Sequence, residues 1–415
     1  MLTNAIKIAW KVLLRHPFYT FITLFGISLT LTVLMVLTSF LDHLLAPHYP
    51  EHKRERMLYI SRVALRDSAR QSSRTGPVSF RFIDTYVKTL KTPEKVGLTT
   101  FFGFANAYVN GKRISLQTKF TDATFWEVTD FEFLEGKPYN AQTIAQGQQV
   151  AVITDDLKRQ YFEDETAPVV GKTIEVDNVR YRVIGVVRAA PVTRPTTAGD
   201  IYFPYTVPKS NYQSKGLAGS YVALILARTP ADFGAIQAEF DGVVSRIPRP
   251  VLEDGNKYAV VETAASTYLE SLLGNFFEAQ ATAIFFSVVG LFMMLFMSLP
   301  AINLVNVNVS RIMERASEIG IRKAFGAPAR TLIWQFVVEN LFITFLGGAI
   351  ALLLSGLIIY FINTSGWIAR ADLTINFTVF AISVLVCVVF GLLSGVAPAF
   401  RMAKLPIAEA LKSNG

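Results

Sequence analysis

Cysteine and histidine are scarce in this chain. Cys387 is the single cysteine among 415 residues, so no disulfide can form within the chain, and the four histidines all lie in the first 52 residues. His43, His48 and His52 could approach one another around a metal, but no cysteine supports them, and we interpret them as solvated loop residues. The sequence contains no H-E-x-x-H, no G-x-S-x-G and no Cys/His cluster. It therefore indicates no catalytic residue, no cofactor site and no metal site in this chain.

A complete phosphate-binding loop is also missing. Gly171, Lys172 and Thr173 resemble the end of the pattern G-x-x-x-x-G-K-[ST], but Thr166 stands where that pattern requires a glycine. Without that glycine the backbone amides cannot enclose a phosphate. We therefore interpret the segment as a turn that leads into a β-strand, and we expect this chain by itself to hydrolyse no ATP.

Charge is absent from four long stretches, which contain no Asp, Glu, Lys or Arg: residues 18–41, 279–310, 340–369 and 373–400. Each is longer than the roughly 20 apolar residues that cross a bilayer as an α-helix. We predict transmembrane helices at 18–41, 279–308, 334–362 and 374–398. The first exceeds the about 7–15 apolar residues of a signal peptide and precedes no A-x-A site, so we interpret it as a retained anchor. No ionisable residue lies deep in a predicted span, which argues against ion-coupled transport.

Basic residues predict the orientation of these helices. Eleven of them lie in three short segments: Lys7, Lys11, Arg15, Arg311, Arg315, Arg322, Lys323, Arg330, Arg401, Lys404 and Lys412. The remaining short loop, 363–373, has only Arg370 and Asp372 as charged residues. By the positive-inside rule, 1–17, 309–330 and 399–415 are cytoplasmic, and the large segment 42–275 lies outside the cytoplasm. Residues 1–17 are expected to form an amphipathic surface helix or, equally, an extension of the first span.

The external segment carries 28 basic and 26 acidic residues, so most of the net charge of +8 comes from the basic residues that flank the spans and reflects topology. The high net charge is therefore poor support for a nucleic-acid-binding protein. Its composition is that of an α+β domain, in one lobe or two. Residues rich in Val, Ile and Tyr predict strands at 149–154, 173–176, 181–187, 201–203 and 221–226. Helices are predicted at 79–90, 155–162 and 231–247. Asp177 and Asn178 predict a tight turn, and 191–199, with its prolines and threonines, predicts an exposed loop.

The predicted fold class is thus a membrane protein with four transmembrane α-helices and a large α+β domain inserted between helices 1 and 2. Function is expected in the loop 309–330, where charge is dense between two uncharged spans. Glu314 and Glu318 lie one helical turn apart, and Glu318 can pair with Arg322, which predicts a short surface helix. Its charged flanks and small apolar ridge suit a groove on a partner protein, although a solvated connector has the same features.

At this loop the chain resembles the FtsX-like permeases. The motif S-x-x-x-E-R-x-x-E-I-G-I-R-K-A-x-G-A comprises Ser310, Glu314, Arg315, Glu318, Ile319, Gly320, Ile321, Arg322, Lys323, Ala324, Gly326 and Ala327. The C-terminal pattern, similar to the tail of the same family, comprises Pro398, Arg401, Ala403, Leu405, Pro406, Glu409, Ala410 and Leu411. Residues 14–27 resemble the first helix of MacB-type members, and residues 120–187 resemble the MacB periplasmic core, notably at 122–126, 134–136 and 171–174.

The resemblance implies a permease subunit of a type VII ABC transporter in the bacterial inner membrane, with a periplasmic external domain. It implies that a coupling helix contacts a cytoplasmic ATPase through Glu314, Arg315, Glu318, Ile319, Gly320, Arg322, Lys323, Gly326 and Ala327. The family's C-terminal motif corresponds to Pro398, Arg401, Pro406 and Glu409. MacB itself carries an N-terminal ATPase domain, whereas this chain begins at the membrane, so a separate ATPase subunit is expected.

In that arrangement two copies of the ATPase bind ATP and Mg²⁺, and the permease pairs with itself or with a homologous permease. The sequence leaves open whether a periplasmic adaptor protein also binds the permease. ATP-driven closure would be transmitted to the periplasmic domain, a mechanism called mechanotransmission, for export or extraction of a substrate that the sequence does not identify. Three alternatives stay open: a lipoprotein-releasing permease of the LolC/LolE kind, an FtsX-like regulator, and a membrane-anchored sensor that transports nothing. A sensor would not need the motif at 310–327.

Overall fold

The computed structural model describes residues 10–11, 13–15, 17–67, 72–101, 103–109, 111–162, 167–248, 260–274, 281–314, 321, 325, 328–368, 370 and 372–404. These residues form two compact units. The helical unit takes its described residues from 1–43, 283–367 and 373–415, and the sheet unit takes its own from 44–282 and 368–372.

The helices of the described chain are α1 Pro17–Leu45, α2 Phe80–Phe82, α3 Ala123–Val128, α4 Ala141–Ala145, α5 Asp155–Phe162, α6 Phe233–Val244, α7 Tyr268–Gly274, α8 Ala281–Glu314, α9 Ala329–Ser365 and α10 Phe377–Lys404. The four predicted spans fall on α1, α8, α9 and α10. Helix α8 continues to Glu314, so the first residues of the predicted cytoplasmic loop prolong it. Among the described residues, α1 and Val337–Ser365 are long and apolar enough to cross a membrane, while Thr282–Phe296 and Phe377–Val389 are shorter apolar helices. The count of four spans stays a prediction.

Helix α1 packs closely on α9 within the helical unit. A Cβ atom added to Gly347 would lie 2.8 Å from Cγ2 of Ile27, so a larger residue at 347 would push the two helices apart. Near this contact, Oγ1 of Thr32 donates to the carbonyl oxygen of Ala351 at 3.4 Å. The buried cluster around them consists of Leu13, Ile27, Leu31, Ile343, Ala351 and Cys387. Small residues thus let the backbones of α1 and α9 approach, as is typical of helices that associate within membranes.

One expectation about polar residues changes in the helical unit. His43 lies in the last turn of α1 with 2% of its surface exposed, so its interpretation as a solvated loop residue is wrong. Glu339, near the start of the predicted third span, is 4% exposed. Because it lies close to that end of the span and not at its centre, it does not alter the expectation that no ionisable residue lies deep in a span.

The strands of the sheet unit are β1 Met57–Ile60, β2 Val63–Asp67, β3 Ser72–Gly76, β4 Lys95–Thr100, β5 Phe104–Val109, β6 Lys112–Thr121, β7 Phe133–Gly136, β8 Val150–Thr154, β9 Thr173–Val176, β10 Val179–Val187, β11 Ile201–Pro204, β12 Tyr221–Leu226 and β13 Val260–Glu262. Among the described residues they form three sheets, in the orders β1-β12-β4, β13-β2-β3 and β7-β10-β8-β11-β6-β5-β9. In the seven-stranded sheet, β9 pairs with both β5 and β10, so the sheet curls back on itself.

Strand β12 separates two hydrophobic cores. Its six residues are all buried, because side chains alternate between the two faces of a strand and both faces are covered. Tyr221, Ala223 and Ile225 belong to the core that contains residues of α2 and α6. Val222, Leu224 and Leu226 belong to the core that contains residues of α3. This double coverage explains why the segment is a continuous apolar run.

Several local predictions are confirmed in the sheet unit. The predicted strands 173–176 and 221–226 and the predicted helix 155–162 have the observed bounds. Asp177 and Asn178 both have positive φ angles, 47° and 65°, as expected for the tight hairpin turn between β9 and β10. The helix predicted at 79–90 is shorter and less regular than expected. A single α-helical turn at Phe80–Phe82 widens into a π-helical segment at Ile83–Val87.

Asp122 begins α3 as its N-cap and joins that helix to β4. Its Oδ1 accepts hydrogen bonds from the backbone N–H groups of Phe125 at 2.9 Å and Leu98 at 3.1 Å. The side chain is buried, and this burial raises the pKa of its carboxyl to about 6, although both hydrogen bonds and the charge of Lys88 lower it.

We expect the Asp122→Asn change to remove a pH dependence of stability. The folded-state pKa lies above the value of about 3.9 in an unfolded chain, so the native state binds this proton more tightly. The unfolding free energy should therefore fall, by up to about 3 kcal/mol, as the pH rises from 4 to above 6. Asparagine keeps the capping oxygen and carries no charge. Thermal unfolding of the purified chain between pH 4.5 and 7.5 should show the variant gaining on the wild type as pH rises, and a constant difference would contradict the assignment.

Candidate functional site

One edge of the seven-stranded sheet brings three strand ends together. Strands β8 and β10 are parallel, with Val187 opposite Thr154 at their ends, and β11 runs antiparallel to β8. The carboxyl ends of β8 and β10 therefore meet the start of β11, where the N–H group of Thr154 donates to the carbonyl oxygen of Asp200 at 3.0 Å. Residues 188–200, which connect β10 to β11 along this edge, form the junction loop.

Most of the junction loop is buried, with Val192 exposed, so the prediction of an exposed loop at 191–199 is wrong. Arg194 and Ala198 have no exposed surface, and Thr197 is 1% exposed. The buried polar groups of the loop find partners within it and beside it, as burial requires. The N–H of Ala198 donates to the carbonyl oxygen of Arg194 at 2.7 Å. The hydroxyl of Tyr202 donates to the carbonyl oxygen of Thr197, also at 2.7 Å.

The carboxylate of Glu51 is the centre of a buried ion cluster beside the junction loop. It accepts hydrogen bonds from the hydroxyls of Thr196 at 2.8 Å and Thr197 at 2.6 Å. Arg54 donates to it through Nε at 2.9 Å and through Nη2, and Nη1 of Arg194 lies 3.4 Å away. Burial raises the pKa of the Glu51 carboxyl, but the charges of Arg54 and Arg194 outweigh it, so the pKa lies below its usual value. Glu51 is therefore held ionised between two guanidinium groups.

The two arginines also bind the segments that connect the sheet unit to α1 and α8. Nη1 of Arg54 donates to the carbonyl oxygen of Leu44 at 2.8 Å, and Nη2 of Arg194 donates to that of Ala46 at 3.2 Å. The guanidinium carbon of Arg54 lies 3.8 Å from the centre of the ring of Tyr268, the first residue of α7, which precedes α8 in the chain. The Glu51 cluster consists of Glu51, Arg54, Arg194, Thr196, Thr197 and Tyr268.

A buried lysine fixes the junction loop from its other side. Nζ of Lys119 donates to the carbonyl oxygens of Thr100 at 2.8 Å, Phe101 at 2.5 Å and Pro195 at 2.5 Å. These three acceptors match the three N–H donors of the ammonium form. Burial lowers the pKa of Lys119 to about 7, while the charge of Glu51 raises it. Lysine thereby joins β4, β6 and the junction loop.

This arrangement suits holding segments together and does not suit acid–base chemistry. The four lone-pair sites of the Glu51 carboxylate face five donors from the two arginines and the two threonines, so none is available to accept a substrate proton. Within the part of the chain that the structure describes, no group of three or more His, Cys, Asp and Glu side chains could hold a metal ion. The Glu51 cluster therefore holds together segments that are distant in the chain.

The residues predicted to contact an ATPase lie mostly outside the described residues. Glu314 is the last residue of α8, and the exposed Ile321 and Phe325 are described within the loop. Those outside are Arg315, Glu318, Ile319, Gly320, Arg322, Lys323, Gly326 and Ala327. In the C-terminal motif, Pro398 and Arg401 belong to α10, and Pro406 and Glu409 lie outside the described residues. The predicted interface stays a prediction.

Sequence reasoning missed the junction entirely. Glu51, Arg54 and Arg194 are far apart in the chain, and an isolated charge in a polar segment gives no signal of burial. Arg370 is visible in the sequence as one of the two charged residues in the 363–373 loop, but its sequence context indicates no binding partner. That loop is the third segment that connects the two units along the chain, and Arg370 also binds at the sheet edge that carries the junction loop.

Two successive regions of the chain match known protein families. The family model of the MacB-like periplasmic core domain matches residues 20–243, and that of the FtsX-like permease C-terminal matches residues 290–407. The macrolide export ATP-binding/permease protein MacB of Acinetobacter baylyi is 25% identical over 337 residues, covering 78% of this chain and 44% of that protein. Its Escherichia coli K12 counterpart is 27% identical over 294 residues, covering 69% of this chain and 42% of that protein.

The chain spans less than half the length of these curated relatives. Among solved structures, the periplasmic region of MacB from Actinobacillus actinomycetemcomitans matches with a TM-score of 0.35 at 15% sequence identity. That match covers 54% of this chain and 94% of the other.

Proposed function

Because the chain belongs to the FtsX-like and MacB-type permease family, we propose that it is the permease subunit of an ABC transporter. The family resemblance inferred from the motifs is confirmed by the two matched regions, and the protein is a membrane protein with a periplasmic domain. The observation that carries the proposal is the order of these regions, in which a MacB-like core is followed by an FtsX-like permease region. The sheet unit, inserted in the chain between α1 and α8, supports this order.

The topology we propose has four transmembrane helices in the inner membrane, with both termini in the cytoplasm. The positions of α1, α8, α9 and α10 on the four uncharged stretches support it. The excess of basic residues in 1–17, 309–330 and 399–415 supports the orientation, since short cytoplasmic segments carry such an excess.

The energy source we propose is a cytoplasmic ABC ATPase in two copies, which would bind ATP and Mg²⁺ and contact the coupling residues of the loop 309–330. The relatives are named ATP-binding/permease proteins, and the stretch similar to this chain makes up less than half of each. The Gly171 segment supports a partner for ATP binding, because Gly171 has a φ of +93° and leads directly into β9 at Thr173. In a phosphate-binding loop the Gly-Lys-[Ser/Thr] run leads into a helix, whereas here it leads into a strand.

The mechanism we propose is mechanical coupling through the junction. The arginines of the Glu51 cluster bind the carbonyl oxygens of Leu44, in the last turn of α1, and of Ala46, which follows it. Arg54 also contacts the ring of Tyr268 in α7, which precedes α8 in the chain. Displacement of those helices by the ATPase would therefore pull on the junction loop and the sheet edge that it closes. The moving domain would drive export or extraction of a substrate, with the permease paired as a dimer.

The proposal is tested by purifying the chain with the ABC ATPase encoded beside it. We expect the two proteins to copurify in mild detergent and ATP to be hydrolysed only when both are present. An ATPase variant lacking its phosphate-binding lysine serves as the control, because it should bind without hydrolysis. Failure of the two wild-type proteins to associate would contradict the proposal, as would ATP hydrolysis by this chain alone that disappears in Lys172→Ala.

A further inference from the structure

Arg370, in the connection between α9 and α10, binds two carboxylates of the sheet unit. Its Nε donates to Oδ2 of Asp156 at 2.5 Å, and its Nη2 donates to Oδ1 of Asp200 at 2.7 Å. Its side chain is 20% exposed. The guanidinium therefore spans two different segments of the sheet edge, a geometry that the planar fork of arginine permits and the single ammonium of lysine does not.

Both carboxylates are held in place by other partners. Asp156 lies in the first turn of α5 and also pairs with Arg159. Asp200 immediately precedes β11, and its second oxygen accepts a hydrogen bond from the N–H of Gln117 at 2.8 Å. Because α5 follows β8 and Asp200 precedes β11, the two acceptors stand on the edge where the junction loop runs. Arg370 thus meets a preformed acidic pair.

The backbone conformation at position 370 is unfavourable for arginine, which indicates that the contacts of its side chain account for arginine at this position. Its φ angle is +61°, in the left-handed region that glycine and asparagine adopt far more readily than arginine. A position that served only as a turn would favour glycine, as at Gly366 of the same connection, which has a φ angle of 71°. Burial lowers the pKa of Arg370, but its hydrogen bonds to Asp200 and Asp156 raise that pKa above the ordinary value, so the guanidinium stays protonated and positively charged.

The connection that carries Arg370 is closed on itself. Nδ2 of Asn363 donates to the carbonyl oxygen of Leu373 at 3.0 Å, and the N–H of Leu373 donates back to Oδ1 of Asn363 at 3.0 Å. This reciprocal pair joins the end of α9 to the segment before α10. The two ends of this connection are therefore held together by side-chain and backbone hydrogen bonds.

We propose that Arg370 is a coupling residue of the transporter, and this inference rests on the proposed function. Its clamp on Asp156 and Asp200 holds the α9–α10 connection to the sheet edge, so that movement of these two helices during the ATP cycle reaches the junction loop. The permease would then transmit movement through three connections: the segment after α1, the segment before α8 and the Arg370 clamp.

The experiment compares hydrogen exchange of the complex with its ATPase, with and without ADP and vanadate, at residues 150–162 and 188–204. Coupling free energies in allosteric proteins correspond to about 5- to 150-fold changes. We therefore expect the nucleotide-dependent difference of the wild type to shrink at least about fivefold in Arg370→Gln and Arg370→Gly. The glycine variant is decisive, because it relieves the left-handed backbone and still loses the clamp. Arg370→Lys should restore the difference in part.

The matched control is Arg180→Gln, which removes an arginine whose side chain is 80% exposed and pairs with Glu175 on the surface. It should exchange like the wild type. Asp200→Asn, which leaves Arg370 in place, provides a second test if a variant at 370 fails to fold. An unchanged nucleotide response in Arg370→Gly or Asp200→Asn would overturn the inference, as would a wild-type complex that hydrolyses ATP without any response at 188–204. Absence of any complex would instead contradict the proposed function.

Discussion

The Glu51→Ala change should lower the unfolding free energy of the sheet unit by about 3–5 kcal/mol, because it leaves two buried guanidinium groups without their carboxylate. Arg54 and Arg194 have side chains that are 3% and 0% exposed, so water cannot replace the lost partner. The hydroxyls of Thr196 and Thr197 lose their acceptor as well. Thermal unfolding of the purified chain, with hydrogen exchange at 44–60 and 188–200, measures the effect.

The matched control is Glu175→Ala, which removes a half-exposed carboxylate paired with Arg180. Ion pairs at such positions contribute about 0–1 kcal/mol, so this variant should unfold nearly as the wild type does. Equal stability of Glu51→Ala and Glu175→Ala would mean that the cluster does not hold the junction together.

The pH dependence of the Glu51→Ala effect follows from the direction in which the pKa of Glu51 is shifted. The folded-state pKa of this carboxyl is lower than the value of about 4.3 in an unfolded chain. Its stabilisation is therefore complete above that value and is lost as the pH falls through the folded-state pKa. We expect the difference in unfolding free energy between Glu51→Ala and the wild type to be large at pH 5 and to narrow as the pH falls below about 4.

The elements that the sequence predicted well are those defined by neighbouring residues. The hairpin of β9 and β10 depends on Asp177 and Asn178, which accept the positive φ angles of a tight turn. Helix α5 begins with acidic residues, which suit a helix N-terminus, and follows directly on a strand. In each case the cause lies within a few positions of the effect, so pattern and propensity suffice.

The junction loop shows where such reasoning ends. Proline and threonine correctly indicated an irregular segment at 191–199, but composition says nothing about whether a loop is covered. Its burial is set by Glu51, which lies 143 positions before Arg194 in the chain. The strands β1 to β7 and β13 were missed for a related reason. Short runs such as Met57–Ile60 have no periodicity of their own and are stabilised by distant partners such as β12.

The coupling loop gives the second large expected effect, and it rests on sequence and family resemblance. The spacing of Glu318 and Arg322 predicts that they can pair on one face of a surface helix, and Gly320 has no side chain that would obstruct a close partner surface. We expect Gly320→Trp and Glu318→Arg each to leave the chain folded and inserted while weakening ATPase binding at least tenfold. A bulky side chain or a reversed charge at a fitted interface commonly costs a few kcal/mol, and about 1.4 kcal/mol corresponds to a factor of ten.

Copurification with the ATPase, titrated in mild detergent, measures this loss, and hydrogen exchange in the sheet unit verifies that the variants remain folded. Lys412→Glu provides a charge reversal of the same size in the predicted cytoplasmic tail and should bind as the wild type does. On a solvated connector, the changes at 318 and 320 would be nearly neutral, because neither side chain would face a partner. If both loop variants bind the ATPase and support hydrolysis as the wild type does, the loop is such a connector and the ATPase must contact another part of the permease.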